Sequence, residues 1–261
     1  MSSTTGIYGQ LIQDAGVHPE WQPLLQKALR AVDIHYLQDL IVDEHWLPGK
    51  ASLFSAFRRD LSHCRYILFG ESPYPRKESA NGIAFYDAAV HELWSETGLS
   101  KAVNKATSLR NILKTALLAE GRITLEADGK IPQSSIAAVD KRTLIQSIDE
   151  LFSALQQRGF LLFNATPVLH PQRKPALEAT YWGEFVHQLL VQIADSRSTL
   201  PTLVLWGKIA QQLQKFAVTQ RYPQLVSEHP YNLSFIHNKE IHKLFAELGI
   251  LHRSPQGQAV Q

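Results

Sequence analysis

Four short apolar runs constrain this chain more than any other feature. They are Tyr66-Ile67-Leu68-Phe69, Gly159-Phe160-Leu161-Leu162-Phe163, Leu203-Val204-Leu205-Trp206 and the weaker Leu225-Val226. None alternates polar with apolar, so each reads as a strand buried on both faces, the condition of a parallel sheet. Helical patterns lie between them, at Ser108 to Leu118, Leu144 to Leu155, Phe185 to Ala194 and Ala210 to Phe216, and Ile236 to Leu248 follows the last run. Ahead of the first run, helical periodicity extends from Trp21 to Leu40, and a short helix is expected over Leu53 to Leu61. This alternation predicts an α/β fold, a three-layer α/β/α sandwich around a central, mostly parallel four-stranded sheet.

Composition narrows the class. The chain has 261 residues, 44% of them hydrophobic, and only 19% charged, which excludes a disordered chain. A single cysteine, Cys64, excludes a disulfide scaffold and any cysteine-rich zinc or iron–sulfur site, and it fits a reducing cytoplasm. The 11 histidines form no metal-ligand constellation, so no metal is expected; His170, His187, His237 and His242 read as surface or helix residues. The N-terminus lacks the basic start and apolar core of a signal peptide, and no apolar window is long enough to span a membrane. A net charge of +2 does not by itself announce nucleic acid. One domain covering residues 1–261 is expected, with residues 1–12 and 253–261 frayed, and Arg122 to Ser135 as a polar surface excursion or hairpin.

In open α/β sheets ligands bind beyond the carboxyl ends of the strands. Here those ends carry Gly70-Glu71-Ser72-Pro73-Tyr74-Pro75, Asn164-Ala165-Thr166-Pro167, Trp206-Gly207-Lys208 and Ser227-Glu228-His229-Pro230-Tyr231-Asn232-Leu233-Ser234. Any one of these segments could be ordinary turn chemistry. The Gly-x-Ser-x-Gly elbow of α/β hydrolases is absent.

Taken together, the four segments resemble the uracil-DNA glycosylase superfamily. The run Gly70 to Tyr74 is similar to its water-activating Gly-Gln-Asp-Pro-Tyr motif, and Asn81-Gly82-Ile83-Ala84-Phe85 to the segment with a stacking Phe. Leu161 to Asn164 resembles the strand ending in the uracil-reading Asn. Leu205 to Gln211 resembles the phosphate loop, and His229 to Ser234 the intercalation loop. Weaker likenesses are Leu53 to Arg58 and Ser108 to Ile112, and the whole resemblance covers about Gln22 to Leu251.

The resemblance implies hydrolysis of the N-glycosidic bond of uracil in single- or double-stranded DNA, by a cytoplasmic monomer needing neither metal nor cofactor. It implies Asn164 as the reader of uracil, because a carboxamide offers a donor and an acceptor side by side. Phe85 would stack on the base, Tyr74 would exclude a thymine methyl, and His229 would donate to uracil O2 as negative charge develops. Leu233 would wedge into the vacated stack, and Ser108, Lys208 and Ser234 would contact phosphates. Arg76-Lys77 and Arg173-Lys174 are either a wider basic rim or solvated surface.

Two motifs depart from the pattern: Ser72 stands where the family's main form has Asp, and Tyr231 and Asn232 stand where its His-Pro-Ser-Pro-Leu-Ser intercalation loop has Ser and Pro. Ser72 can hold a water but brings no charge, and the neighbouring carboxylate is Glu71. Two readings stay open. One is an active, monofunctional glycosylase relying on Ser72, Glu71 and His229; the other is a pocket that has lost catalysis and serves as a DNA-binding or scaffold module.

Overall fold

The computed structural model describes residues 4–253, with side chains from Gly6 onward. In chain order it contains α1 (Thr4–Asp14), α2 (Gln22–Leu29), α3 (Ile34–Val42), β1 (Tyr66–Gly70), β2 (Trp94–Ser95), β3 (Gly98–Leu99), α4 (Lys101–Lys105) and α5 (Thr107–Ala119). Then follow α6 (Gln133–Ala138), α7 (Ile148–Gln157), β4 (Phe160–Asn164), α8 (Pro175–Ser196), β5 (Thr202–Trp206), α9 (Lys208–Leu213), β6 (Gln224–Ser227) and α10 (Lys239–Leu248). Contacts divide the described residues into two compact units: the chain up to Ala88 with Gly159–Val226, and Ala89–Arg158 with the chain from Ser227 on.

The first unit is built on the sheet, in the order β4-β1-β5-β6. β1 is the hub. It pairs in parallel with β4, Gly70 opposite Asn164, and in parallel with β5, Phe69 opposite Leu205. Ile67, Phe69, Leu161, Phe163, Leu203 and Leu205 belong to one core cluster with Phe54, Phe57, Trp182 and Phe185. The alternate residues Leu68, Leu162 and Val204 are also buried, so both faces of the sheet are covered, which is why the runs are continuously apolar. The α/β fold with a parallel four-stranded sheet expected from the sequence is the observed one.

Several local expectations need correction. Residues 4–12 are not frayed: α1 begins at Thr4 and buries Leu11 and Ile12 in the core. Residues 1–3 and 254–261 lie outside the described residues. The Trp21–Leu40 pattern is two helices, because the Asp33 side chain accepts from the Tyr36 N–H and caps a new start. Leu53 to Leu61 forms only a 3-10 turn, Ser55–Phe57, preceded by another at Lys50–Ser52.

The second unit packs α10 and α5 together and carries a small antiparallel β2–β3 pair that apolar patterning did not signal. The Ser147 hydroxyl caps α7 by accepting from the Glu150 N–H. Its last helix starts at Lys239 rather than Ile236, because the Asn238 side chain accepts from the N–H groups of Glu240 and Ile241. Leu233–His237 is a separate 3-10 turn before it. The excursion after Arg122 narrows to a turn in which Glu126 N–H donates to Lys130 O at 2.9 Å, and α6 follows it.

Candidate functional site

In the first unit, the carboxyl ends of β1 and β4 bring together four residues singled out from the sequence. Gly70 and Asn164 are register partners, and pairing continues beyond the strands: Ala165 N–H donates to Gly70 O and Thr166 N–H to Glu71 O, both at 2.9 Å. The Asn164 side chain folds over Gly70. A Cβ on residue 70 would overlap Asn164 Oδ1 and stand 2.9 Å from the Ala84 Cβ, so only glycine leaves room for the carboxamide. Asn164 is 3% exposed, yet its carboxamide makes no hydrogen bond among the described residues. Buried polar groups almost always have partners, so an unpartnered one with slight solvent access marks a place for a ligand.

Phe85 and Tyr74 border the same strand end. Ala84 N–H donates to Leu162 O at 3.1 Å, which joins the 81–88 loop to β4. Phe85 has φ +64°, a left-handed conformation costly for a residue with a Cβ, and its ring meets Trp206 edge-on at 5.2 Å. Gly82 is required nearby, since a Cβ there would overlap the Ser52 carbonyl. The Tyr74 hydroxyl donates to Phe85 O at 3.4 Å, so the two rings lie on segments tied to each other. Burial, and then the negative charge of Asp87, pushes the Tyr74 phenol up to about 12, and it stays neutral at physiological pH. Arg76 donates to the buried Asp87 carboxylate at 3.0 Å. This clasp spans the loop between Tyr74 and Phe85, and nothing in the sequence pattern had singled out Asp87.

Glu71 and Ser72 are exposed just beyond β1. Lys208 is exposed at the start of α9, after Gly207 at φ +68°. The basic pair Arg173-Lys174 divides. Arg173 is half-buried over the Tyr36 ring, 5.3 Å from its centroid, and faces Asp39 and Glu178 at 3.6 and 3.8 Å, so it is committed to the fold. His170, expected on the surface or on a helix, is instead buried outside any helix: its Nε2 donates to Asp43 at 2.7 Å while Nδ1 accepts from the Gln172 N–H. Leu47 and Leu169 exchange two backbone hydrogen bonds beside it, tying the 43–48 loop to the segment that follows Asn164. A contact 127 residues away in sequence leaves no local signal.

In the second unit, His229 opens a tight turn. Asn232 N–H donates to His229 O at 2.9 Å, with Pro230 at the favoured second position. Tyr231 N–H donates to His229 Nδ1 at 3.1 Å, so Nδ1 is the acceptor and any proton on the neutral ring sits on Nε2. Asn111, fully buried on α5, donates through Nδ2 to Pro230 O at 2.7 Å and approaches the next two carbonyls at 3.5 Å. The loop is therefore braced from below while Leu233, 69% exposed, projects. Ser234 is exposed. Burial raises the Glu228 carboxyl, but hydrogen bonds from its own backbone, Asn238 and Ser234 outweigh that and hold it below the usual range. Ser108 is half-buried in the first turn of α5. Among the described residues no group of histidine, cysteine and carboxylate side chains is arranged to hold a metal, and no helix is long and apolar enough to cross a membrane.

Comparison with known proteins bears on both units. The family described as the uracil DNA glycosylase superfamily matches residues 59–249. A uracil-DNA glycosylase of Corynebacterium glutamicum is 24% identical over 240 residues, covering 85% of this chain and 83% of its own. One from Leuconostoc citreum is 23% identical over 223 residues, covering 83% and 84%. The wild-type UNG crystal structure from Nitratifractor salsuginis is 36% identical, has a TM-score of 0.87, and covers 94% of this chain and 97% of that one.

Proposed function

The chain belongs to the uracil DNA glycosylase superfamily, and from that premise we propose that Ser72 leaves it catalytically active, with the residues described above in defined roles. It is a monofunctional uracil-DNA glycosylase, a hydrolase of base-excision repair acting on uracil-containing DNA. The scaffold-module alternative is not favoured.

Uracil inside a duplex is unreachable, so the nucleotide must rotate out of the stack. Asn164 accepts from uracil N3–H and donates to O4; cytosine presents the opposite pattern and leaves both groups unsatisfied, at about 1–3 kcal/mol each. Phe85 stacks on the ring and Tyr74 occupies the space of a thymine methyl. His229 donates from Nε2 to O2 as the C1′–N1 bond breaks with its electron pair leaving on uracil. Water held by the Ser72 hydroxyl, with Glu71 as the adjacent carboxylate, adds to C1′, and the proton it loses ends on the departed uracil anion, leaving free uracil and an abasic site. Lys208, Ser108 and Ser234 contact phosphates, and Leu233 fills the vacated stack. The protein works as one functional domain, a monomer in the cytoplasm; a single thermal transition, light scattering and cell fractionation test those three points.

The observation that supports this reading best is the nearly buried Asn164 carboxamide, held over Gly70 without a partner. The test is incubation with a uracil-containing single-stranded oligonucleotide, followed by alkaline cleavage. Strand breaks with the wild type, abolished by Asn164→Ala and by His229→Ala, are the expected result. An intact strand with wild-type protein overturns the proposal.

A further inference from the structure

We propose that Tyr231 is a second base-contacting residue of the His229–Ser234 loop, its ring stacking on the nucleobase that flanks the extruded uridine. The inference rests on the uracil-DNA glycosylase reading and assigns a contact that the reading leaves open. Tyr231 occupies a position where the resemblance expects a serine, so a short hydroxyl has become a large aromatic surface.

Three observations carry it. First, Tyr231 is 67% exposed, and it is the only aromatic among the exposed large hydrophobic residues described. Its neighbour Leu233 is another of that small set, which concentrates exposed apolar surface within three positions. Second, the exposure is not slackness. The Tyr231 N–H is spent on His229 Nδ1, and the Pro230, Tyr231 and Asn232 carbonyls gather around the Asn111 amide. The backbone is braced while the ring is left outside, so little ordering entropy remains to be lost when the ring meets a ligand. Third, that ring makes no aromatic contact among the described residues, whereas Phe235, four positions on in the same segment, is fully buried.

Extruding a nucleotide unstacks its neighbour and exposes that base's face. An aromatic side chain can cover such a face at any sequence, because every base has one. In single-stranded DNA no opposite strand holds the flanking base, so the stacking gain is larger there than in duplex.

Two measurements test this. Steady-state uracil release is compared for wild type, Tyr231→Ala and Tyr231→Phe on single-stranded and duplex oligonucleotides. In parallel, fluorescence of 2-aminopurine placed beside an abasic analogue is followed on binding. Stacking predicts that Tyr231→Ala raises KM on single strands about tenfold, less on duplex, with kcat nearly unchanged. Tyr231→Phe behaves as wild type, and 2-aminopurine quenching is lost only in the Ala variant. An unchanged KM in Tyr231→Ala, or a Phe variant as impaired as Ala, overturns the proposal, the latter assigning the contact to the hydroxyl. If the wild type releases no uracil yet quenches 2-aminopurine through Tyr231, the glycosylase reading fails and the stacking contact stands. Neither release nor quenching removes both.

Discussion

Gly70 and Asn164 face each other at the ends of adjacent parallel strands, and the missing Cβ of the glycine is the space into which the Asn164 carboxamide folds. A single methyl at residue 70 would push that carboxamide aside. Gly70→Ala should therefore cost about 1–3 kcal/mol of stability through overpacking. A displaced reading group should also lower kcat/KM on uracil-containing DNA on the order of a hundredfold. Denaturant midpoints and initial rates on one preparation check both, and an alanine variant with normal activity would mean that Asn164 does not need its observed position.

Phe85 separates backbone cost from side-chain use. Its positive φ is tolerated by glycine and penalised in alanine. Phe85→Gly should melt later than Phe85→Ala, by a margin on the order of 1 kcal/mol, although both lose the ring, its edge contact with Trp206 and most of the excision rate. Paired thermal melts decide it.

Asn111 acts at a distance from any base. Asn111→Ala removes the donor to the Pro230 carbonyl and leaves that buried acceptor unpaired, at a cost of about 1–3 kcal/mol. The loop carrying His229 and Leu233 should loosen as well, seen as faster amide exchange over residues 229–234 and a raised KM. Exchange unchanged in that segment would show that the brace is dispensable.

Acid stability should report the Asp43–His170 contact. The hydrogen bond from His170, then those from the His45 backbone and ring, hold the Asp43 carboxyl well below its ordinary 3.8. A carboxylate depressed in the folded state contributes its full stabilisation above the unfolded value and loses it as pH falls. The melting-temperature gap between wild type and Asp43→Asn should therefore be constant above about pH 5 and close as pH drops below about 4. A gap that does not narrow at all between about pH 5 and about pH 2 would assign the loss to packing.

Ser72→Asp asks whether water activation limits the enzyme. A well-placed general base is typically worth 10²–10⁴-fold, so kcat should rise at least about tenfold with KM little changed. An unaltered kcat would locate the limiting step elsewhere.

Much of this protein was legible along the chain. Continuous apolar runs identified β1, β4 and β5, because burial on both faces removes the need for alternation, while the edge strand β6, where Val226 is exposed, left only the weak Leu225-Val226 signal. Glycine, proline and polar residues at the strand ends marked the segments that carry Asn164 and His229 as candidates, because function in such sheets gathers at those ends, whereas Phe85 became a candidate only through the family resemblance. Helix boundaries drifted where a side chain recaptured the backbone, as Asp33 and Asn238 do. What only the tertiary structure decided was pairing across sequence distance: His170 against Asp43, Asn111 beneath Pro230, Arg76 across to Asp87, and a carboxamide resting on a glycine in the next strand. Periodicity encodes which face a residue shows, not which distant atom meets it there. The physical reason is that a hydrogen bond or a steric vacancy depends on ångström-scale positions, which exist only after the core has packed.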